Sequence, residues 1–304
     1  RMGSGTSGVA GLTWTGKLAK AAAGLPEAPK HEWWTLAREV PGMYLVTEGG
    51  AERFIFYEAT AFQEPVVTGK LAGDALTLAN AYPAPSGPVL VLAHDGTKRF
   101  LKQIENIEAQ GTARLAKADL LAAPVEDTAL LEACRAHWTG FGMTPEEARA
   151  IVEAWKPDLL DSLGFLVISR LPVKLYDEIL PLEVVPKPAE LVRAGLVFDT
   201  LPGEQERLAW LPGLNARFAK LGKDLASEDF ETRNKATRAL AGAGDLAKPF
   251  LEKLAAAEDV ETRAAAHALL KALEPVAVKA VPQRGKGMKG GVEVKPLDQE
   301  VKEK

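Results

Sequence analysis

The sequence predicts an α+β protein in three parts: an antiparallel β-sandwich-like front over 40–123, a central α/β segment over 124–212 and a helical repeat module over 213–275. Three observations carry that expectation. Short apolar runs separated by turn residues fill 43–117, two amphipathic helical stretches follow, and a seven-residue motif then recurs 30 residues further on. Outside these parts, 1–39 is expected to be a flexible lead with an aromatic segment, and 276–304 a disordered tail.

Composition bounds the chemistry. The 304 residues suit two or three domains, and 37 basic against 41 acidic side chains leave a net charge of −4. That balance gives no whole-chain attraction for nucleic acid, so no nucleic-acid partner is expected. With 47% hydrophobic and 26% charged residues, the composition is that of an ordered globular chain. Cys134 stands alone, which excludes an intrachain disulfide, a multi-cysteine zinc site and an iron–sulfur cluster. His31, His94, His137 and His267 are far apart in sequence, so no metal site and no cofactor is expected. The first residue is Arg1, which suits a processed product or a fragment whose signal peptide, if any, is already removed. Lys17 and Lys20 interrupt the apolar stretch 9–24, and no window approaches the roughly 18 apolar residues that a membrane span needs.

The front is read as five to seven short strands. MYLVTE (43–48) ends at Gly49-Gly50 and RFIFYEA (53–59) follows; PVVTGKL (65–71) and ALTLANAY (75–82) flank Gly73-Asp74. VLVLAH (89–94) meets Asp95-Gly96, a two-residue hairpin signal because both positions tolerate positive φ, and TKRFLKQI (97–104) is its partner. Trp33 and Trp34 precede these strands beside Tyr44, Phe54, Phe56, Tyr57 and Phe62. Such a cluster serves either as an aromatic platform for a sugar, peptide or base, or as core with a lid. Alternation puts Phe54 and Phe56 on one strand face and favours core.

In the central segment, 126–138 reads as a helix with Leu130, Leu131, Cys134 and Trp138 on one stripe. Thr144-Pro145-Glu146-Glu147 is a capping box with proline at the first helical position, and Pro157 is expected to stop that helix. FLVISRL (165–171) and LVRAGLVFDTL (191–201) read as strands, and the proline-bounded stretch 181–188 as extended chain suited to a sheet edge. Cys134 and His137 share a helix face and suggest a thiolate–imidazole or metal pair, yet the apolar stripe makes a buried structural cysteine the better reading. Asp158 and Asp161 offer an acid–base pair or a helix cap. Phosphate-loop, dinucleotide, nucleophile-elbow and H-E-x-x-H motifs are absent from the sequence. In the tail, Lys279, Arg284, Lys286 and Lys289 form a small basic stretch.

The repeat is the most informative feature. SEDFETR (227–233) recurs as AEDVETR (257–263), and Ala236 and Leu240 recur as Ala266 and Leu270. Asp229 and Asp259 are placed to cap a helix, while Arg233 and Arg263 are expected to reach an acidic residue of a neighbouring turn. Gly242 and Gly244 end the first helix, and KPFLEKLAAA (248–257) supplies the next.

This pattern resembles the HEAT-type α-solenoid repeat, in which Asp, an apolar residue, Arg, Ala and Leu line the first helix. The resemblance implies protein–protein binding, and two copies are fewer than such arrays usually need, so docking on Leu214–Leu225 or on the central segment is expected. A second resemblance joins ERFIFYE (52–58), FGMTPEEARAIVEAW (141–155), FLVISRLPVKLYDEILPL (165–182) and ELVRAGLVFDTL (190–201) to a family of uncharacterised bacterial proteins that often look secreted or envelope-associated. It implies an extracytoplasmic location and no catalytic residues.

The sequence therefore points to a non-enzymatic binding or scaffold protein of the bacterial envelope with a protein partner and no membrane span. Arg233 and Arg263, or Trp33 and Trp34, would mark its interaction surface. A hydrolase using Asp158 and Asp161, or a subunit of a homo-oligomeric assembly, is the alternative.

Overall fold

A computed structural model describes residues 13–22, 33–55, 65–201, 203–273 and 290–295. The first half contains β1 (Thr13–Ala19), β2 (Tyr44–Thr47), β3 (Gly50–Glu52), β4 (Val67–Ala72), β5 (Ala75–Asn80), β6 (Val89–His94), β7 (Arg99–Ile104), β8 (Thr112–Ala116) and a short α1 (Lys117–Leu120). Then come α2 (Asp127–Thr139), α3 (Pro145–Asp161), β9 (Gly164–Leu171), α4 (Val173–Ile179), β10 (Leu182–Val185) and β11 (Gly195–Thr200). The helical end is α5 (Glu204–Trp210), α6 (Pro212–Leu225), α7 (Phe230–Gly242), α8 (Lys248–Leu254) and α9 (Val260–Ala272), and β12 (Gly290–Lys295) follows. Trp33–Glu39 and Gly244–Ala247 are 3₁₀ turns.

The fold is α+β. Its strands form three sheets, ordered β10–β12–β1–β2–β3, β11–β9–β6–β7 and β4–β5–β8. All pairs in the second and third sheets are antiparallel. Strand β6 is buried at all its positions because it has apolar partners on both faces. Val89, Val91 and Ala93 join Phe165 and Val167 of β9, the third sheet and the helical end in one core. Leu90, Leu92 and Ile168 face the other way, into a second core with α2 and α3. A near-continuous apolar run is what a strand covered on both faces requires.

Pairing of β6 with β9 puts strands from either side of position 123 into one sheet, so the front and central segments share a layer. Their partners lie about 70 residues apart, a non-local pairing that local patterns do not report. The 3₁₀ turn 33–39 and β1 fall in the expected flexible lead, and β12 in the expected tail. Alternating valines in Gly-Gly-Val-Glu-Val-Lys are a strand signal that the flanking glycines obscure. Strand β3 ends at Glu52, so Arg53–Ile55 are not the expected strand. The remainder of that strand, with Phe56, Tyr57 and Phe62, lies outside the described residues, as do residues 1–12, His31 and the basic stretch Lys279–Lys289.

Helix α3 starts as its capping box dictates: Thr144 Oγ1 accepts the Glu147 N–H at 3.2 Å, and Glu147 returns a carboxylate to the Thr144 N–H at 2.8 Å. It does not stop at Pro157 but runs through it to Asp161. Proline removes one helical hydrogen bond there. Leu159, buried in the second core one half-turn later, holds the last turn in place.

The helical end is fastened to the sheets through α5 and the start of α6. Trp210 donates its indole N–H to Gly73 O at 2.8 Å, and its ring meets Phe165 of β9 edge-on at 5.8 Å. Gly213 approaches the β6–β7 turn so closely that a Cβ there would lie 2.9 Å from Asp95 O. Arg217 donates to Gly96 O of the same turn at 2.9 Å. Arg207 is 2% exposed and donates to Asp245 at 2.8 Å, tying α5 to the turn between α7 and α8.

Removing one partner from a buried charged pair leaves the other desolvated. Asp245→Ala is therefore expected to lower the unfolding free energy by about 1–3 kcal/mol in urea titrations. A loss no larger than that of Ala substitution at exposed Asp224 would show that Arg207 is satisfied without it.

Candidate functional site

Two regions bear on function. The first is polar and lies where β6 ends beside the C-terminus of α3. His94, Arg99, Asp158 and Ser162 line a closed space of about 10 Å³, the room of one water molecule. His94 Nδ1 lies 3.3 Å from Ser162 O, and burial, followed by Arg99, holds the imidazole below its ordinary value. Arg99 donates to Leu160 O and to Asp127, both at 2.7 Å, and so clamps the end of α3 to the start of α2. Asp161 lies 3.9 Å from Arg99 with its carboxylate largely in solvent. Asp158 thus reaches the small space and Asp161 points to its rim. That volume admits a water but no organic substrate.

Cys134 and His137 lie on the buried side of α2. Burial pushes the Cys134 thiol up to about 12, so it is a poor nucleophile and a poor metal ligand. His137 is 6% exposed, neither ring nitrogen has a hydrogen-bond partner, and burial lowers its pKa to about 4. The ring of Phe141 meets it edge-on at 4.6 Å, and Arg170 covers Phe141 on a cation–π contact. Among the described residues no cluster of three or more His, Cys, Asp or Glu side chains is arranged to hold a metal ion.

The second region is the helical end. Both Asp caps form as the repeat implies: Asp229 accepts the Thr232 N–H at 2.8 Å and Asp259 the Thr262 N–H at 2.6 Å. The arginines act otherwise than expected. Arg233 Nη1 donates to the carbonyls of Ser227 and Glu228 at 2.6 and 2.8 Å, and Arg263 Nη1 to those of Ala257 and Glu258 at 2.8 and 3.3 Å. Each guanidinium closes the loop that precedes its own helix, so Arg233 and Arg263 are loop clips. The carbonyls left over at the end of the preceding helix need donors, and a guanidinium supplies two in one plane.

Between α5, α6 and α8 lies a groove of about 560 Å³. Leu208, Phe218 and Phe250 form its apolar floor, with the two rings 6.2 Å apart, and Gln205, Asn215, Glu252 and Lys253 stand at its rim. Gly222 admits the Phe250 ring, since a Cβ there would come within 2.8 Å of it. Sequence reading missed this groove because its walls come from three helices; the phenylalanine on each of α6 and α8 was its only local trace. Trp33 and Trp34 open the 3₁₀ turn that packs on α3, and their side chains lie outside the described residues. No helix among the described residues is long and apolar enough to cross a membrane. The chain matches no protein-family model, no curated protein and no solved structure.

His137 makes stability depend on pH with a definite sign. Its folded pKa lies below the ordinary 6.5, so the unfolded chain binds the extra proton between about 6.5 and 4. Stability is full above that window and falls by about 3 kcal/mol as the pH drops through it. Urea midpoints measured from pH 7 to 4 are expected to show this slope, and His137→Leu to flatten it. Cys134 is expected to resist a thiol reagent in the native protein and to react fully in denaturant; rapid native labelling would place it at the surface.

Proposed function

We propose that this is a non-catalytic binding or scaffold protein whose helical end, a HEAT-like module carried on a β-sandwich-like front, holds a segment of a partner protein. The groove over Phe218 and Phe250 is the observation that carries the reading. It is open, apolar at its base and polar at its edge, the build of sites that seat side chains of another chain. Helices α7 and α9 support it, because they repeat the same capped entry 30 residues apart and stack as solenoid helices do. An extracytoplasmic setting, implied by the second sequence resemblance, is the cellular context that we attach to this reading.

Ala209→Trp fills the groove from an exposed position without touching the core. Affinity capture with cross-link mapping is expected to retain a partner on the native protein, with cross-links at Lys253, and to lose it with the variant. Equal capture by both proteins would remove the groove from the interaction. Hydrolysis of ester or phosphoester substrates that Asp158→Asn abolishes would instead make the protein an enzyme.

A further inference from the structure

The loops 227–231 and 257–261 carry a second feature that their local architecture does not use. Phe230 and Val260 occupy the first position of α7 and α9 and are 64% and 66% exposed. They are among the largest apolar exposures of the described residues, and they stand at the same place in both copies of the motif. Neither is needed for helix entry, since the capping bonds run through Asp and Thr and the loop closure through Arg. Phe230 has only Arg233 nearby, 6.0 Å from its ring centre.

Topology brings the two side chains together. α6 and α7 form one hairpin, α8 and α9 the next, and the hairpins stack. The short connection Ala243–Ala247 joins the ends of α7 and α8 that are remote from the loops, so both loops emerge on the same side. Packed helices lie about 8–10 Å apart, which sets the spacing of the two apolar side chains.

The frame around them has one sign. Each loop shows three exposed carboxylates, Glu228, Asp229 and Glu231 and their counterparts 30 residues on. The arginine of each loop is bound to backbone carbonyls, and hydrogen bonds from Thr232 and Thr262 hold the capping aspartates below the usual carboxylate range. Only Lys235 adds an electrostatic contact to Asp229 from the helix that follows. We propose that Phe230 and Val260 form a two-pronged docking ridge for a cationic segment of a partner protein, in which two apolar side chains about one helix-width apart are flanked by lysine or arginine. The complement is electrostatic at the rim and apolar at the centre, the usual division of a protein interface. This deepens the binding reading of the helical end, and it does not require the groove.

The probe is a labelled helical peptide with leucines at positions i and i+7, about 10 Å apart, and lysines around them, used with the full chain in fluorescence anisotropy. Saturable binding is expected, weakening by about tenfold or more in Phe230→Ser/Val260→Ser and in Glu231→Lys/Glu261→Lys. The same peptide with glutamate for lysine should not bind. All four positions are exposed, and unchanged melting temperatures would show the variants folded. Ala209→Trp is expected to leave peptide binding intact, which separates failure of the ridge from failure of the groove. Absence of saturable binding, or equal binding to native protein and both ridge variants, would overturn the proposal. So would self-association in sedimentation velocity that the ridge variants abolish, since the ridge would then belong to a second copy of this chain.

Discussion

Because β6 is buried at every position, it needs apolar cover on both faces, and that requirement arranges the layers around it. One face takes α2 and α3; the other takes the β4–β5–β8 sheet and the helical end. Neither cover is optional. Stripping either would expose a row of Val or Leu side chains, each contributing about 1.5–3 kcal/mol when buried. The helical end is thus part of the main core, and its Leu214, Phe218, Leu240 and Leu251 share a cluster with Val91 and Phe165. Arg207 and Trp210 set the angle of that attachment with polar bonds, where apolar contact alone would allow sliding.

The legible parts of the fold are those whose determinants sit within one turn or one hairpin. The entry to α3, the β6–β7 pair and both Asp caps depend on residues three or four apart, and each forms where the sequence puts it. Pro157 shows the limit of local rules, since a tertiary anchor at Leu159 outweighs a helix breaker. The shared sheet is invisible locally because Val91 and Val167 meet only after α2 and α3 have folded between them. Strands β1 and β12 are short and glycine-bearing, and their patterns stand out only once partners are known.

The candidate surfaces divide in the same way. The 30-residue motif is plain in the sequence, yet a sequence shows neither that its arginines point inward to carbonyls nor that Phe230 and Val260 point outward. Both facts depend on which side of a loop faces the stack. The groove floor needs three helices to exist. Cys134 and His137 are legible as a pair on one face, and their apolar stripe correctly marks them as interior.

The loop clip has a consequence for how such a chain changes over time. Asp caps the helix that follows, Arg closes the loop that precedes, and both act within a window of seven residues. Each loop therefore carries its own closure and asks nothing of its neighbours' sequences. A duplication of 30 residues would bring a finished junction with it, leaving only the stacked faces to be matched. The unit is portable, and the two copies already present look like one such transfer.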